Sequence, residues 1–471
     1  MKKWTGFIIA LVVLILGAYF AIGFSIENTL NKNINSIPKS SSFSVRLDKY
    51  HRGWFSSQAN LTFKMHIPAQ TITDKNGVTK TEPPADFDID IPIFIKHGPF
   101  IATDHGIRFG IGLVTTQPET HYEAFINYLN KTIFRYTLPS FAVEGTIGQN
   151  EGDFKLNWQG LSSLLCVSSN LDNLDGNLRL LGVKGAANNP SYTKNNFAFD
   201  IGEIIYDYKF KRHQDWLWLG DARFDVPSVA INLAGEKVFE LAGFNLSAGS
   251  NVHDGAMDMD FKLSLQKLFT NNQKYGPGIF HLSFRNLDPE VAAKINQQES
   301  DMIQNSSDPN LATLAFVTEL PKLLAKGAEL ELSEMVLNVP DGKITGNFKI
   351  SLPKSEGEDL PQMMQKMSGE GYFKAPITTV KALVTASMKN NLANKTQTTP
   401  DIQVTSPDTT SPAQILTNPD NDAATQAEKM LQNFVNKGLL KIEGNDYVLT
   451  FKLENQKIFV NGQPFNPDML N

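Results

Sequence analysis

The chain has 471 residues, of which 41% are apolar and 20% are charged, a composition that favours folded domains over a disordered chain. Its net charge of −6 at pH 7 argues against a nucleic-acid-binding protein, because neutralising phosphates requires a basic surface. Cys166 is the only cysteine, which excludes an intrachain disulfide and a cysteine-cluster metal site.

The N-terminus predicts a membrane anchor. Residues 5–24 contain no charged side chain, and a helix of that length, rising ~1.5 Å per residue, covers ~30 Å, the thickness of the hydrocarbon layer. Lys2 and Lys3 precede this run, so residues 1–4 are predicted to stay in the cytoplasm and the rest of the chain to be exported. A cleaved signal peptide is the alternative, but its apolar region is usually only ~7–15 residues long.

Aromatic and basic residues are concentrated in the stretch "DKYHRGWFSS" at 48–57. In an extended chain Tyr50, Arg52 and Trp54 share one face and can stack as aromatic, guanidinium and aromatic groups, with ~0.5–2 kcal/mol for each cation–π contact. Gly53 allows the backbone to bend or bulge there. Two interpretations follow: a packed strand corner, or a contact surface for a partner, a second copy or lipid headgroups.

Most of the exported part is predicted to form strands. Apolar and polar residues alternate over 59–67, 257–265, 344–352 and 447–453. This period of two is typical of antiparallel strands with one buried face and one solvated face. The continuous apolar runs between amphipathic helices that mark a doubly wound parallel sheet are missing from the sequence. Trp216 and Trp218 also share a strand parity, and they either pack in the core or line a groove.

Four segments are predicted to be helical. Tyr122, Phe125, Ile126, Leu129 and Ile133 fall on one helical face. The pairs Asp288-Pro289 and Asp308-Pro309 are typical helix starts, the first opening a segment to about residue 304 and the second preceding 311–326. An apolar stripe over 427–435 predicts a helix capped by Asp422 and stopped by Gly438.

The domain organisation follows from these elements. A β-rich body is predicted over 25–395. Residues 396–422 are rich in Thr, Pro, Asp and Ser without periodicity, which indicates a linker. Residues 423–471 are predicted to form a helix and β-hairpins that pack on the body. The predicted fold class is therefore α+β and β-dominated: a transmembrane helix followed by a large, antiparallel, curved β-sheet body with a few helices.

Three stretches carry a resemblance to a known family. "YHRGWFSSQA" after an N-terminal anchor, "LWLGD" at 217–221 and "LTFKLENQKIFVNGQPF" at 449–465 are similar to the YdgA-like family of bacterial inner-membrane proteins, whose molecular function is not established. The resemblance implies an inner-membrane anchor, a periplasmic β-rich body and self-association. It also implies a distant likeness to the AsmA-like envelope proteins, whose curved sheets handle lipids, by analogy of fold alone.

Motif searches give no catalytic residue, no metal site and no cofactor. The sequence has no Gly-x-Ser-x-Gly elbow, no His-Glu-x-x-His and no phosphate-binding loop. Three function classes remain: a non-enzymatic envelope protein that binds phospholipid or another apolar ligand along a curved sheet, a structural or assembly factor that docks itself or other membrane proteins, and, least favoured, a hydrolase. The candidate contact residues are Tyr50, Arg52, Trp54, Trp216 and Trp218.

Overall fold

The structure is a computed structural model of the chain. The residues it describes are 2–35, 43–67, 70–73, 79–82, 85–103, 106–116, 122–146, 152–188, 196–304, 309–355, 357–396 and 419–470. The chain divides into two compact units. Unit 1 comprises Met1–Met259 and Leu287–Leu324, and unit 2 comprises Asp260–Asn286 and Ala325–Asn471.

Unit 1 contains one N-terminal helix, a helix pair and a large set of strands. The helices are α1 (Lys2–Asn35), α2 (Pro289–Gln304) and α3 (Pro309–Leu324). The strands are β1 (Phe43–Arg52), β2 (Ser56–Ile67), β3 (Gln70–Thr73), β4 (Thr79–Glu82), β5 (Ala85–His97), β6 (Ile101–Thr103), β7 (Gly106–Arg108), β8 (Gly112–Thr116), β9 (Tyr122–Ile126), β10 (Thr132–Leu138), β11 (Phe141–Thr146), β12 (Asp153–Trp158), β13 (Leu161–Val167), β14 (Asn173–Leu180), β15 (Val183–Asn188), β16 (Phe197–Ile201), β17 (Ile204–Gln214), β18 (Leu217–Leu233) and β19 (Glu236–His253).

The chain passes from unit 1 to unit 2 inside β20 (Ala256–Leu265). Unit 2 continues with β21 (Lys267–Thr270), β22 (Gln273–Tyr275), β23 (Gly278–Leu287), β24 (Glu329–Val339), β25 (Gly342–Ser351), α4 (Leu360–Gln365), β26 (Ser368–Pro376), α5 (Ile377–Thr396), α6 (Pro419–Asn436), β27 (Lys441–Glu443), β28 (Asp446–Glu454), β29 (Lys457–Val460), β30 (Gln463–Pro464) and a 3-10 helix (Pro467–Leu470). Strands β23 to β26 and β28 to β30 pair antiparallel in chain order, and α5 packs on α6.

The strands of unit 1 form a long antiparallel sheet. Its neighbours follow the order β1, β2, β5, β8, β9, β10, β13, β14, β17, β18 and β19. The later half of β18 pairs instead with β16, which leads on through β15 and β12 to β11. The turns that follow Arg52, His97 and Ile126 all lie at one end of this sheet, called here the anchor end. The prediction of a β-dominated protein with a large antiparallel sheet is confirmed.

Helix α1 is one continuous element with two different surroundings. In the described part of the chain it is the helix long and apolar enough to cross a membrane, over Val13–Asn35, and only 17% of that window is buried. The exposed side chains lie towards its start, among them Val13 and Leu14. Further along, Ile26 is fully buried in the main core cluster of unit 1. This candidate membrane-spanning helix is therefore also part of the fold of unit 1.

Small residues let α1 approach the sheet closely. A Cβ atom on Gly112 of β8 would lie 1.7 Å from Cδ1 of Ile26, and a Cβ atom on Gly23 of α1 would lie 2.6 Å from Cε1 of His97. Gly98 has φ +138° and faces the ring of Tyr19, so both its backbone conformation and its neighbour require glycine. These glycines lie where the helix packs on the sheet.

Two predictions about local structure are corrected. The segment predicted as a helix over 122–133 forms β9 and β10 instead, and the residues between them make a turn. Helix α6 begins at Pro419, so Asp422 lies inside the helix and is not its cap. Proline is favoured in the first turn because it has no N–H to satisfy there.

The other predicted helices are present. Asp288 caps α2, since its Oδ1 accepts hydrogen bonds from the backbone N–H groups of Glu290 and Val291 at 2.9 and 3.2 Å. Ala427 and Leu431 of α6 are buried, and Gly438 follows the helix with φ +73°. Of the predicted linker, residues 397–418 lie outside the described residues, while Thr396 ends α5 and Pro419 opens α6.

Candidate functional site

An apolar groove lies on the sheet of unit 1 beside the C-terminal end of α1. Its volume is 760 Å³, within the usual range for ligand sites. The wall formed by α1 consists of Leu30, Asn33 and Ile34. The sheet contributes Val45, Leu61, Phe63, Ile91, Ile93, Val114, Thr116, Tyr122, Ala124, Ile126, Thr132, Phe134, Tyr136, Val167 and Leu171.

Few polar groups line the groove. Asn33 donates a hydrogen bond from Nδ2 to Oγ1 of Thr132 over 3.4 Å. Its Oδ1 is buried and, among the described residues, has no hydrogen-bond partner. Burial raises the pKa of Tyr122 to about 12, which keeps its hydroxyl neutral at physiological pH. The groove thus carries no charge from its own lining.

The apolar surface continues from the groove along one face of the sheet. Directly opposed residues of antiparallel strands share a face, and one such row runs through Tyr136, Ser163, Leu178, Tyr206, Phe224 and Leu246, from β10 to β19. The next row on this face includes Phe134, Leu165, Tyr208 and Ala222. Leu178 and Leu246 remain 41% and 39% exposed. This surface is called here the apolar face.

The opposite face of the same strands is polar. Asp207 faces Arg223, and Asp175 faces Lys209 across neighbouring strands. Arg223 and Asp225 form an ion pair with 2.7 Å between Nε and Oδ2. Charged side chains of these strands therefore lie on the face opposite the apolar face, as the alternating sequence predicts.

Tyr50 does not stack with Arg52 and Trp54, because it bonds to the backbone of α1 while the Arg52 guanidinium lies over Phe20 and Phe24. The pairing of β1 with β2 shifts between Asp48 and His51, and Lys49 has φ +52°, which marks a bulge. The bulge turns Tyr50 towards the core, where it packs on the main cluster and donates a hydrogen bond to the carbonyl oxygen of Gly23 over 3.5 Å. Burial raises the pKa of Tyr50. The predicted stack of three residues on one strand is therefore wrong.

Arg52 and Trp54 instead contact α1. The Arg52 guanidinium lies 5.0 Å from the ring centroid of Phe20 and 5.4 Å from that of Phe24. The Trp54 ring centroid lies 5.2 Å from that of Phe20. Trp54 is 58% exposed, so its interpretation as a buried strand corner is also wrong. The aromatic partners of the stretch come from a helix distant in sequence.

Trp216 and Trp218 occupy different structures. Trp216 lies in the turn between β17 and β18 with φ +66°, so it does not share a strand parity with Trp218. Its carbonyl oxygen accepts a hydrogen bond from Nδ2 of Asn296 on α2 over 3.0 Å. Trp218 donates from Nε1 to the carbonyl oxygen of Leu171 over 3.2 Å. Both residues are half-buried, and neither lines the groove.

His97 is buried where α1 crosses the sheet. It is 1% exposed, and its Nε2 lies 3.0 Å from Oγ of Ser57, while Nδ1 has no partner among the described residues. Burial of the ring lowers the pKa of His97. The neutral imidazole is therefore the form that supports the docked helix.

We expect acid to destabilise unit 1 through protonation of His97. As the pH falls below about 6.5, the unfolded chain gains a proton that the folded chain resists, so the free energy of unfolding decreases. Thermal unfolding between pH 8 and pH 5 measures this slope. His97→Gln should flatten it relative to wild type, whereas His253→Gln, at a histidine that is 81% exposed on its side chain, should retain it. If the His97 variant shows the same slope as wild type, His97 is not the cause of the pH dependence.

A Ser-His-Asp contact occurs in unit 2. Oγ of Ser333 lies 3.0 Å from Nδ1 of His281, and Nε2 of His281 lies 3.3 Å from Oδ1 of Asp260. Asp260 also accepts hydrogen bonds from Ser283 and from both terminal nitrogens of Arg285, at 2.6 to 2.8 Å. The Arg285 guanidinium, more than any other group, lowers the pKa of Asp260 to about 2. Because the Arg285 guanidinium already pairs with the Asp260 carboxylate, little of that negative charge is left to polarise the imidazole of His281.

Comparison with known proteins gives one result. A family described as a bacterial protein of unknown function (DUF945) matches residues 1–468. The chain belongs to the DUF945 family. No curated protein and no solved structure matches the chain. The DUF945 match agrees with the predicted membership of a bacterial family of unestablished function, whereas the likeness to AsmA-like proteins stays a prediction.

No contiguous motif in the sequence marks the groove of this DUF945 protein. Its lining comes from α1 and from strands distributed between residues 45 and 171. One usable signal was the alternation of Tyr122, Ala124 and Ile126 with Glu123 and Phe125, which places the first three on one strand face.

Proposed function

We propose that this DUF945 protein is anchored by α1 in the bacterial inner membrane, exposes its body to the periplasm and binds the acyl chain of a lipid without catalysing a reaction. The observation that carries this proposal is the apolar groove of 760 Å³ and its continuation along the apolar face. A long apolar chain gains free energy from such a surface in proportion to the area it removes from water.

The chemistry of the groove favours a lipid over a polar ligand. Its lining residues include no Asp, Glu, Lys or Arg, so a charged ligand would lose hydration without gaining an ion pair. Lys2 and Lys3 before the apolar run support a cytoplasmic N-terminus and a periplasmic body.

A hydrolase is the second candidate, because Ser333, His281 and Asp260 are in hydrogen-bond contact. We rank it below lipid binding on electrostatic grounds. In a catalytic triad the carboxylate orients and stabilises the imidazolium. Here that carboxylate is paired with Arg285, 2.6 Å away.

We expect a carboxylate placed in the groove to prevent lipid binding. Val45→Glu puts a charge on a half-buried wall of the groove, where an acyl chain would have to desolvate it. Val143→Glu is the matched control, since Val143 lies on β11 and is 42% exposed. Native mass spectrometry of the full chain, after detergent has removed loosely bound lipid, measures the retained lipid.

The two variants separate binding in the groove from lipid carried by the anchor. Wild type and Val143→Glu should retain lipid, and Val45→Glu should lose most of it while its thermal unfolding stays close to that of the control. Equal retention in all three proteins would show that the lipid lies elsewhere. No retained lipid in any of them would contradict the proposed function.

A further inference from the structure

Large apolar side chains are exposed together at the anchor end of unit 1. Trp54 and Phe55 lie in the turn after β1, Phe100 follows β5, and Ile107 and Phe109 belong to the β6–β7 hairpin and the residues after it. Their exposed fractions are 58%, 55%, 47%, 70% and 64%. Together they are called here the rim. Exposed apolar patches of this kind mark interaction surfaces.

The rim surrounds one level of α1. The ring centroids of Tyr19 and Phe55 are 5.1 Å apart, and those of Phe20 and Trp54 are 5.2 Å apart. The Tyr19 hydroxyl donates a hydrogen bond to the carbonyl oxygen of Phe100 over 2.9 Å. Phe100 in turn contacts Phe109, with 5.4 Å between the ring centroids. The level of the rim is therefore fixed at Tyr19 and Phe20.

This level is too close to the start of the apolar run for the rim to clear a bilayer. From residue 5 to Tyr19 an α-helix rises about 21 Å at 1.5 Å per residue, whereas the hydrocarbon layer is about 30 Å thick. A helix that spans the layer must therefore include residues up to about 24. Tilt of the helix makes the shortfall larger.

From this geometry, and on the basis that α1 is the anchor, we infer that the rim is a membrane-docking surface. The rim lies at the boundary of the hydrocarbon layer, on the side of the bilayer that carries the body. Arg52 is exposed and its guanidinium lies between Phe20 and Phe24, so it borders the headgroups, where it can meet lipid phosphates. Tryptophan and arginine both favour this region of a bilayer.

Docking of the rim on the membrane explains the composition of "YHRGWF". Tyr50 packs β1 on the core, Arg52 lies at the edge of the headgroups, and Trp54 lies at the boundary of the hydrocarbon layer. This docking is independent of the apolar groove, whose wall from α1 begins at Leu30, about 15 Å beyond Phe20 along the helix. Loss of lipid from the groove and loss of rim insertion are therefore separate outcomes.

Labelling at single positions tests the depth of the rim. The full chain with Cys166→Ala receives Phe109→Cys and an environment-sensitive NBD fluorophore, and is reconstituted in phosphatidylcholine and phosphatidylglycerol vesicles that contain nitroxide lipids. Leu14→Cys on α1, 69% exposed, reports the anchor, and Val143→Cys on β11 reports solvent. We expect blue-shifted emission and strong quenching at residues 14 and 109, and neither at 143.

Three results would overturn the inference. Emission at residue 109 that matches residue 143 would place the rim in water. A blue shift at 109 without quenching by nitroxide lipids, and with dependence on protein concentration, would show that a second copy covers the rim. Absence of quenching at residue 14 would remove the anchor on which the inference rests. In the predicted case, Trp54→Asp should reduce quenching at 109 and leave quenching at 14 and thermal unfolding unchanged.

Discussion

Removal of residues 1–35 is expected to unfold unit 1, whereas removal of residues 1–18 should leave it folded. Ile26 is fully buried, and Ile22 and Leu30 pack on the same cluster. Complete burial of one such side chain stabilises a fold by about 1.5–3 kcal/mol, so losing all three costs at most about 4.5–9 kcal/mol, because Ile22 and Leu30 are partly buried. That is close to the whole stability of many domains, about 5–15 kcal/mol.

Limited proteolysis and circular dichroism of the two truncated proteins in the same detergent measure the difference. The protein that begins at Tyr19 should unfold cooperatively. The protein that begins at residue 36 should be digested throughout unit 1, because the apolar surface under the helix is then open to water. If both proteins fold equally well, α1 serves only as an anchor and its buried residues contribute little.

The strand pattern was predictable because it depends on local alternation. The stretches at 59–67, 257–265, 344–352 and 447–453 fall in β2, β20, β25 and β28. The failure at 122–133 has a physical reason. Phe125 and Ile133 pack with Ile101 and Leu113 on one face of the sheet, while Ala124 and Ile126 belong to the core on the other. A strand with two apolar faces loses the alternation that distinguishes it from a helix.

The candidate site was less predictable, because its contacts join segments distant in sequence. Arg52 and Trp54 were correctly singled out by their chemistry, but their partners Phe20 and Phe24 lie in what the sequence presents as a membrane span. The backbone bulge at Lys49 turns Tyr50 towards the core and so changes the parity on which the predicted stack depended. Alternation alone cannot predict a bulge, since one extra residue reverses the face of all that follow.

Gly112→Val is expected to destabilise unit 1 through a single contact with the helix. The first added carbon would lie 1.7 Å from Cδ1 of Ile26, well inside van der Waals contact. The backbone of β8 is held by pairing with β5 and β9, so the strain must move α1 or distort the core. Overpacking of this severity costs about 3 kcal/mol. Chemical denaturation of the full chain in detergent measures the loss.

A double-mutant cycle with Ile26→Ala distinguishes this clash from a general intolerance of β8 to valine. Ile26→Ala alone leaves a cavity and costs about 2–5 kcal/mol. Because the alanine also vacates the space that the added valine side chain would occupy, the double variant should be more stable than the sum of the single changes by about 0.5–3 kcal/mol. Gly249→Val is the matched control, since its nearest contact is Oδ1 of Asp221 at 3.1 Å, on a side chain able to move. Strict additivity in the cycle would mean that α1 does not rest on Gly112, and this contact between α1 and β8 would have to be abandoned as a source of stability.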